Sequence, residues 1–147
     1  MTLTKLFSAL LLTVTIVAAV ALAPKPEISN AWMRPNGEGM TTAAYVTITN
    51  KDTKADTLYA IETNLATRTE LHESYQKDGK TKMRKVDFVV IPAKKTVEMK
   101  PGGLHIMLIK LKQDIIKKEK HDLVFKFRRA GSIKVTVVAT DKAPGKK

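Results

Sequence analysis

From Ile28 onward the chain never sustains a helical period. Short runs of β-branched and apolar residues alternate with polar ones, and Gly, Pro, Asn and Asp interrupt them at close intervals. These runs place strands at 28–34, 42–49, 57–63, 66–74, 82–86, 89–91, 96–99, 104–111, 123–128 and 132–140. Many short strands with frequent turns fit an all-β fold, an antiparallel sandwich or barrel. No internal repeat is visible, and the length suits one domain.

The N-terminus reads differently. Lys5 is the only charge in the first 23 residues, 6–23 are almost wholly apolar, and Ala19-Val20-Ala21 offers a small-x-small cleavage site. That is the pattern of a cleaved secretory signal. The alternative is an uncleaved anchor, with the apolar run standing upright across a bilayer. Either way, the remainder is expected outside the cytoplasm. The expected organisation is a signal segment at 1–23, a β domain at 24–141 and a disordered basic tail at 142–147.

Composition narrows the chemistry. The chain has no cysteine, which excludes disulfides, Cys-type zinc sites, iron–sulfur clusters and a cysteine nucleophile. A blue-copper electron-transfer centre is excluded too, since it needs a thiolate. The formal charge is +12, nearly all of it beyond the leader. A solvated mixed-charge surface accounts for this most simply. Weak attraction to an anionic membrane surface or an acidic partner is the next reading. Nucleic acid is not an expected partner, because aromatics make up only 5% of the chain and no binding motif is present.

Chemistry concentrates in Pro101-Gly102-Gly103-Leu104-His105-Ile106-Met107-Leu108. A turn signal runs into a strand whose i and i+2 side chains share a face. His105 and Met107 therefore project together, with Leu104, Ile106 and Leu108 turned to a core. A second pair arises upstream. His72 alternates outward beside an inward Leu71, and Asp78-Gly79 signals a hairpin. A two-residue loop pairs Ser74 with Met83 and His72 with Lys85, which puts His72 and Met83 on one face. A three-residue loop reverses that parity. His72, Met83, His105 and Met107 form a neutral, soft-to-borderline donor set suited to copper(I). Each has an ordinary structural alternative: a strand Met is usually core filling, and a strand His is usually a hydrogen-bonded surface residue. Met99 reads as packing, Met40 as loop, His121 as surface, and Trp32 and Tyr45 as core aromatics. No nucleophile–base pair is present, so an enzyme is not expected.

The spacing is His72, ten residues, Met83, twenty-one residues, then His105-Ile106-Met107. It resembles the H(M)-x10-M-x21-H-x-M motif of the periplasmic copper chaperone family PCu(A)C. Ala31-Trp32, Ala43-Ala44-Tyr45, Met83-Arg84 and the Pro101–Leu108 stretch are similar to that family as well. The resemblance implies a cupredoxin-like Greek-key β-barrel in the periplasm, with a copper(I) site formed by His72, Met83, His105 and Met107. It implies delivery towards the CuA centre of cytochrome c oxidase, to an oxidase subunit and alongside a Sco-like thioredoxin-fold chaperone. One departure stands out: many members have Met directly after the first His, where this chain has Glu73. A carboxylate there would shift preference towards copper(II) or hold His72 by a hydrogen bond. The competing reading is a basic envelope β-sandwich that docks to partners with no metal role.

Overall fold

Each of the ten anticipated runs becomes a strand in the computed structural model, which describes residues 23–145 and has no helix among them. The strands are β1 Glu27–Met33, β2 Thr42–Thr49, β3 Asp56–Glu62, β4 Ala66–Lys77, β5 Lys80–Val86, β6 Val89–Ile91, β7 Thr96–Glu98, β8 Leu104–Leu111, β9 Lys120–Phe127 and β10 Gly131–Ala139. The expected signal segment falls outside the described residues except for Ala23, as do Lys146 and Lys147 of the expected tail.

The strands hydrogen-bond in the order β5-β4-β8-β2-β1-β10-β9-β3-β6, with β7 added on β2. The sheet curls until β3 lies against β4, where the Thr69 hydroxyl donates to the Ile61 carbonyl. All pairings are antiparallel except β1 with β10, where Trp32 faces Val138 in parallel register. This departs from the purely antiparallel expectation. A parallel pair needs a long crossover, and here everything between the first and last strands supplies it.

The core lies inside the curl. Leu123, Phe125 and Phe127 recur every second residue on β9 and are buried, as are Val135, Val137 and Ala139 on β10. They share one core cluster with Leu58, Ile61, Ile91, Leu71, Ile106 and Leu108. Burial of these apolar faces is the main stabilising term, at about 25 cal/mol per Å² removed from water. Met33 and Met99 are also buried there, as packing, while Met40 is exposed.

The β4–β5 hairpin extends past the barrel. β8 begins opposite Glu73 at Leu104, whereas β4 runs on to Lys77. Asp78 and Gly79 turn the chain at φ 53° and 71°, and Lys77 pairs with Lys80 across them. Two successive positive φ values define the type I′ turn, whose twist matches that of the strands it joins.

Candidate metal centre

The hairpin register is the one a two-residue loop dictates: Ser74 opposite Met83 and His72 opposite Lys85. On its other side β4 pairs with β8, placing His72 opposite His105 and Glu70 opposite Met107. Side chains alternate across a sheet. Glu70, His72, Ser74, Met83, Lys85, His105 and Met107 therefore share the outer face, while Leu71 and Ile106 turn to the core. The structure thus brings all four sequence-nominated residues onto one face of three adjacent strands. Met83, His105 and Met107 line a cleft of about 440 Å³, together with Arg34, Tyr45 and Pro101. His72 stands beside it, its ring centroid 5.9 Å from that of His105.

The two imidazoles are held differently. His105 is 4% exposed, and its Nδ1 donates to the Gly103 carbonyl at 2.8 Å. That carbonyl also accepts the Ser74 N–H at 3.0 Å, so the turn before β8 fixes both the ring and the adjoining strand. Gly102 serves this turn with φ 83°, a conformation that strains residues bearing a Cβ. His72 presents Nε2 to the Glu70 carboxylate at 2.8 Å. Its Nδ1 is buried and has no hydrogen-bond partner.

Glu70 escaped the sequence reading, which looked instead at Glu73. Strand parity explains the correction. Glu73 lies on the opposite face and accepts from Arg84 at 2.6 and 2.9 Å. It neither reaches the donor cluster nor holds His72. Glu70, two residues before His72, shares its face, and the i, i+2 rule applied to His105 and Met107 would have found it. Arg68 Nε at 3.2 Å and Lys85 Nζ at 3.6 Å also approach Glu70.

The hydrogen bond from His72, with the charges of Lys85 and Arg68, holds the Glu70 carboxyl below the usual carboxylate range, against the upward push of burial. A carboxyl depressed in the folded state stabilises fully above its unfolded value, and that contribution is lost as pH falls through the lowered one. Wild type is therefore expected to lose more stability on acidification than Glu70→Gln protein. Denaturant unfolding over an acidic pH series measures this.

Trp32 and Tyr45 are buried, but apart from the main core. Their rings stack 4.5 Å apart, and Tyr45 lies 6.4 Å from His105. Both are buried, in keeping with core aromatics, and they pack beside His105 rather than within the main cluster. A bulge in β1, where Asn30 takes φ 49° and the register with β2 shifts, turns Trp32 this way. His121, expected at the surface, has a side chain only 13% exposed, 3.2 Å from Glu119. It lies on β9, which the sheet order separates from β8 by β2, β1 and β10.

Among the described residues no three His, Cys, Asp or Glu side chains gather as a metal-holding group. The fold thus builds no hard oxygen-and-nitrogen cage there. Two imidazoles and two thioethers on one face are a combination that would suit a soft metal ion.

Residues 27–139 match the family described as "Putative lipoprotein LpqE-like". The chain belongs to this LpqE-like family. It is 30% identical over 116 residues to "Putative lipoprotein Lxx21020" of Leifsonia xyli subsp. xyli (strain CTCB07), an alignment covering 78% of this chain and 69% of that protein. The fold is similar to that of the copper-bound PCuAC domain from PmoF2, with a TM-score of 0.68 at 21% identity over 84% of this chain and 97% of that one. It is similar also to the solution structure of CuI-DR1885 from Deinococcus radiodurans, with a TM-score of 0.65 at 25% identity over 88% and 87% of the two chains. The PCu(A)C resemblance seen in the motif of this LpqE-like chain is thus matched by its fold.

Proposed function

We propose that this LpqE-like protein is an exported copper(I) carrier, binding one ion through His72, Met83, His105 and Met107 and releasing it to an acceptor. The observation that carries this reading is the paired register, which sets His72 opposite His105 while Met83 and Met107 flank them on the same face. Copper in the PmoF2 domain and copper(I) in DR1885, proteins of similar fold, support it. Neutral donors leave the ion its single positive charge. Met83 is 53% exposed, so an incoming ligand can displace its thioether from outside. This is handing-over chemistry, with no step that transforms a substrate. The proposed destination is the CuA centre of cytochrome c oxidase, in the periplasm and alongside a Sco-like thioredoxin-fold chaperone. The basic surface adds weak attraction to acidic partners and anionic membranes. The sequence holds no cysteine to carry a lipid, so the lipoprotein description of its relatives does not transfer through that residue.

A single substitution tests the reading. Competition against a chromophoric chelator should give one copper(I) per wild-type chain. Met83→Ala removes one proposed donor and leaves the Asp78-Gly79 turn and the strand register as they are. Because β5 is exposed except for the half-buried Val86, the barrel should melt nearly as before, while copper(I) affinity falls by at least an order of magnitude. Undiminished affinity would remove Met83 from the site.

A further inference from the structure

The two histidines of the centre present different ring atoms, and the groups behind them decide which. The Gly103 carbonyl can only accept, so His105 carries its proton on Nδ1 and offers Nε2. His72 is the reverse: its Nε2 meets a carboxylate and its Nδ1 is buried with no partner. A buried imidazole nitrogen left without a hydrogen bond is costly, unless something absent from the free protein completes it.

We propose that Glu70 is a positioning residue that locks His72 in the Nε2–H tautomer, so that His72 ligates through Nδ1 while His105 ligates through Nε2. This rests on the copper(I) reading above and deepens it. Nδ1 is the ring nitrogen nearer the backbone, and Nε2 the one further out. The ion therefore sits close to β4 and at the far reach of the His105 ring. Glu70 gains its grip from three sides: the His72 ring at 2.8 Å, Arg68 at 3.2 Å and Lys85 at 3.6 Å. Arg68 and Lys85 keep the carboxylate itself in place. The ring thus has one orientation before metal arrives, and binding requires no further ordering of it.

Long-range ¹⁵N–¹H correlation spectra of the imidazoles in the metal-free full chain read the tautomers directly. Wild type should show Nε2–H for His72 and Nδ1–H for His105. Loading with copper(I) should shift Nδ1 of His72 and Nε2 of His105 and leave the other two nitrogens protonated. Glu70→Ala should release the His72 tautomer and weaken copper(I) binding by about 10- to 100-fold, the usual cost of losing such a partner. Glu70→Gln, whose side-chain carbonyl still accepts from Nε2–H, should keep the tautomer and most of the affinity. It also serves as the folded comparison should Glu70→Ala be unstable. An Nδ1–H tautomer at His72 in wild type would overturn the proposal, as would Glu70→Ala protein with unchanged tautomer and affinity. If wild type shows the expected tautomers and binds no copper(I), the Glu70 clamp stands and the proposed function falls.

Discussion

His105→Ala is expected to lower copper(I) affinity by two to three powers of ten while leaving a folded barrel. Structural zinc in a four-ligand zinc-finger peptide is bound with about 10–16 kcal/mol, which sets the scale for a four-donor site. Divided over four donors, one ligand contributes about 2.5–4 kcal/mol, and each 1.4 kcal/mol is about tenfold. His105 should stand at the top of that range because it is the most constrained donor. Its ring is 4% exposed, its Nδ1 is anchored on Gly103, and Tyr45 lies against it. Met83, half exposed on a projecting strand, arrives with more freedom and should cost less when removed. Two controls separate ligand loss from general damage. Tyr45→Phe keeps the ring beside His105 and should bind copper(I) nearly as wild type does. His121→Ala removes an imidazole from β9 and should leave affinity unchanged. Equal affinity in wild type and His105→Ala, by chelator competition, would remove the centre from this face.

What could be read from the chain and what could not follow the range of the interactions. Strand existence was local information. The bounds of Thr42–Thr49, Val89–Ile91 and Leu104–Leu111 were legible because Asn, Pro and Gly punctuate their ends. Strands β4 and β5 run further than expected, to Lys77 and from Lys80. Those hairpin residues are polar on both faces, so no alternation marks them, and the ladder is set by the turn. The hairpin itself was legible because Asp-Gly fixes register chemically. The pairing of β4 with β8, which brings His72 to His105, links segments with three other strands between them in the chain. Only the resemblance to a known spacing hinted at it. The parallel pairing of β1 with β10 left no mark in the sequence. Glu70 is a different case: its parity was legible, but the H(M)-x10-M-x21-H-x-M pattern marks Glu73 instead, the position where that motif allows Met. Adjacency in sequence misleads on a strand, since neighbours face opposite ways.

Asp56→Ala should be the most destabilising single polar substitution, at about 3–5 kcal/mol, far from the metal centre. Asp56 is 5% exposed at the start of β3. Its Oδ1 accepts the backbone N–H groups of Thr57 at 2.7 Å and Arg129 at 2.9 Å, and its Oδ2 accepts that of Ala130 at 2.9 Å. The last two belong to the turn between β9 and β10, so one carboxylate ties that turn to a strand on the other side of β9. Hydrogen bonds to a charged group are worth about 1.5–3 kcal/mol each, and a buried donor stripped of its partner adds its desolvation cost. The native Ala130 is itself buried, so water has little access to replace the lost oxygen. Asp56→Asn separates the contributions. Its one carbonyl oxygen can serve Thr57 and Arg129, but the amide nitrogen cannot accept from Ala130 N–H. The Asn variant should therefore fall between wild type and Ala in denaturant midpoint, with an unchanged slope. Copper(I) affinity should be the same in all three at temperatures where each is folded, because Asp56 lies on β3 and the donors on β4, β5 and β8. If Asp56→Ala melts with wild type, the carboxylate is not what holds the β9–β10 turn to β3.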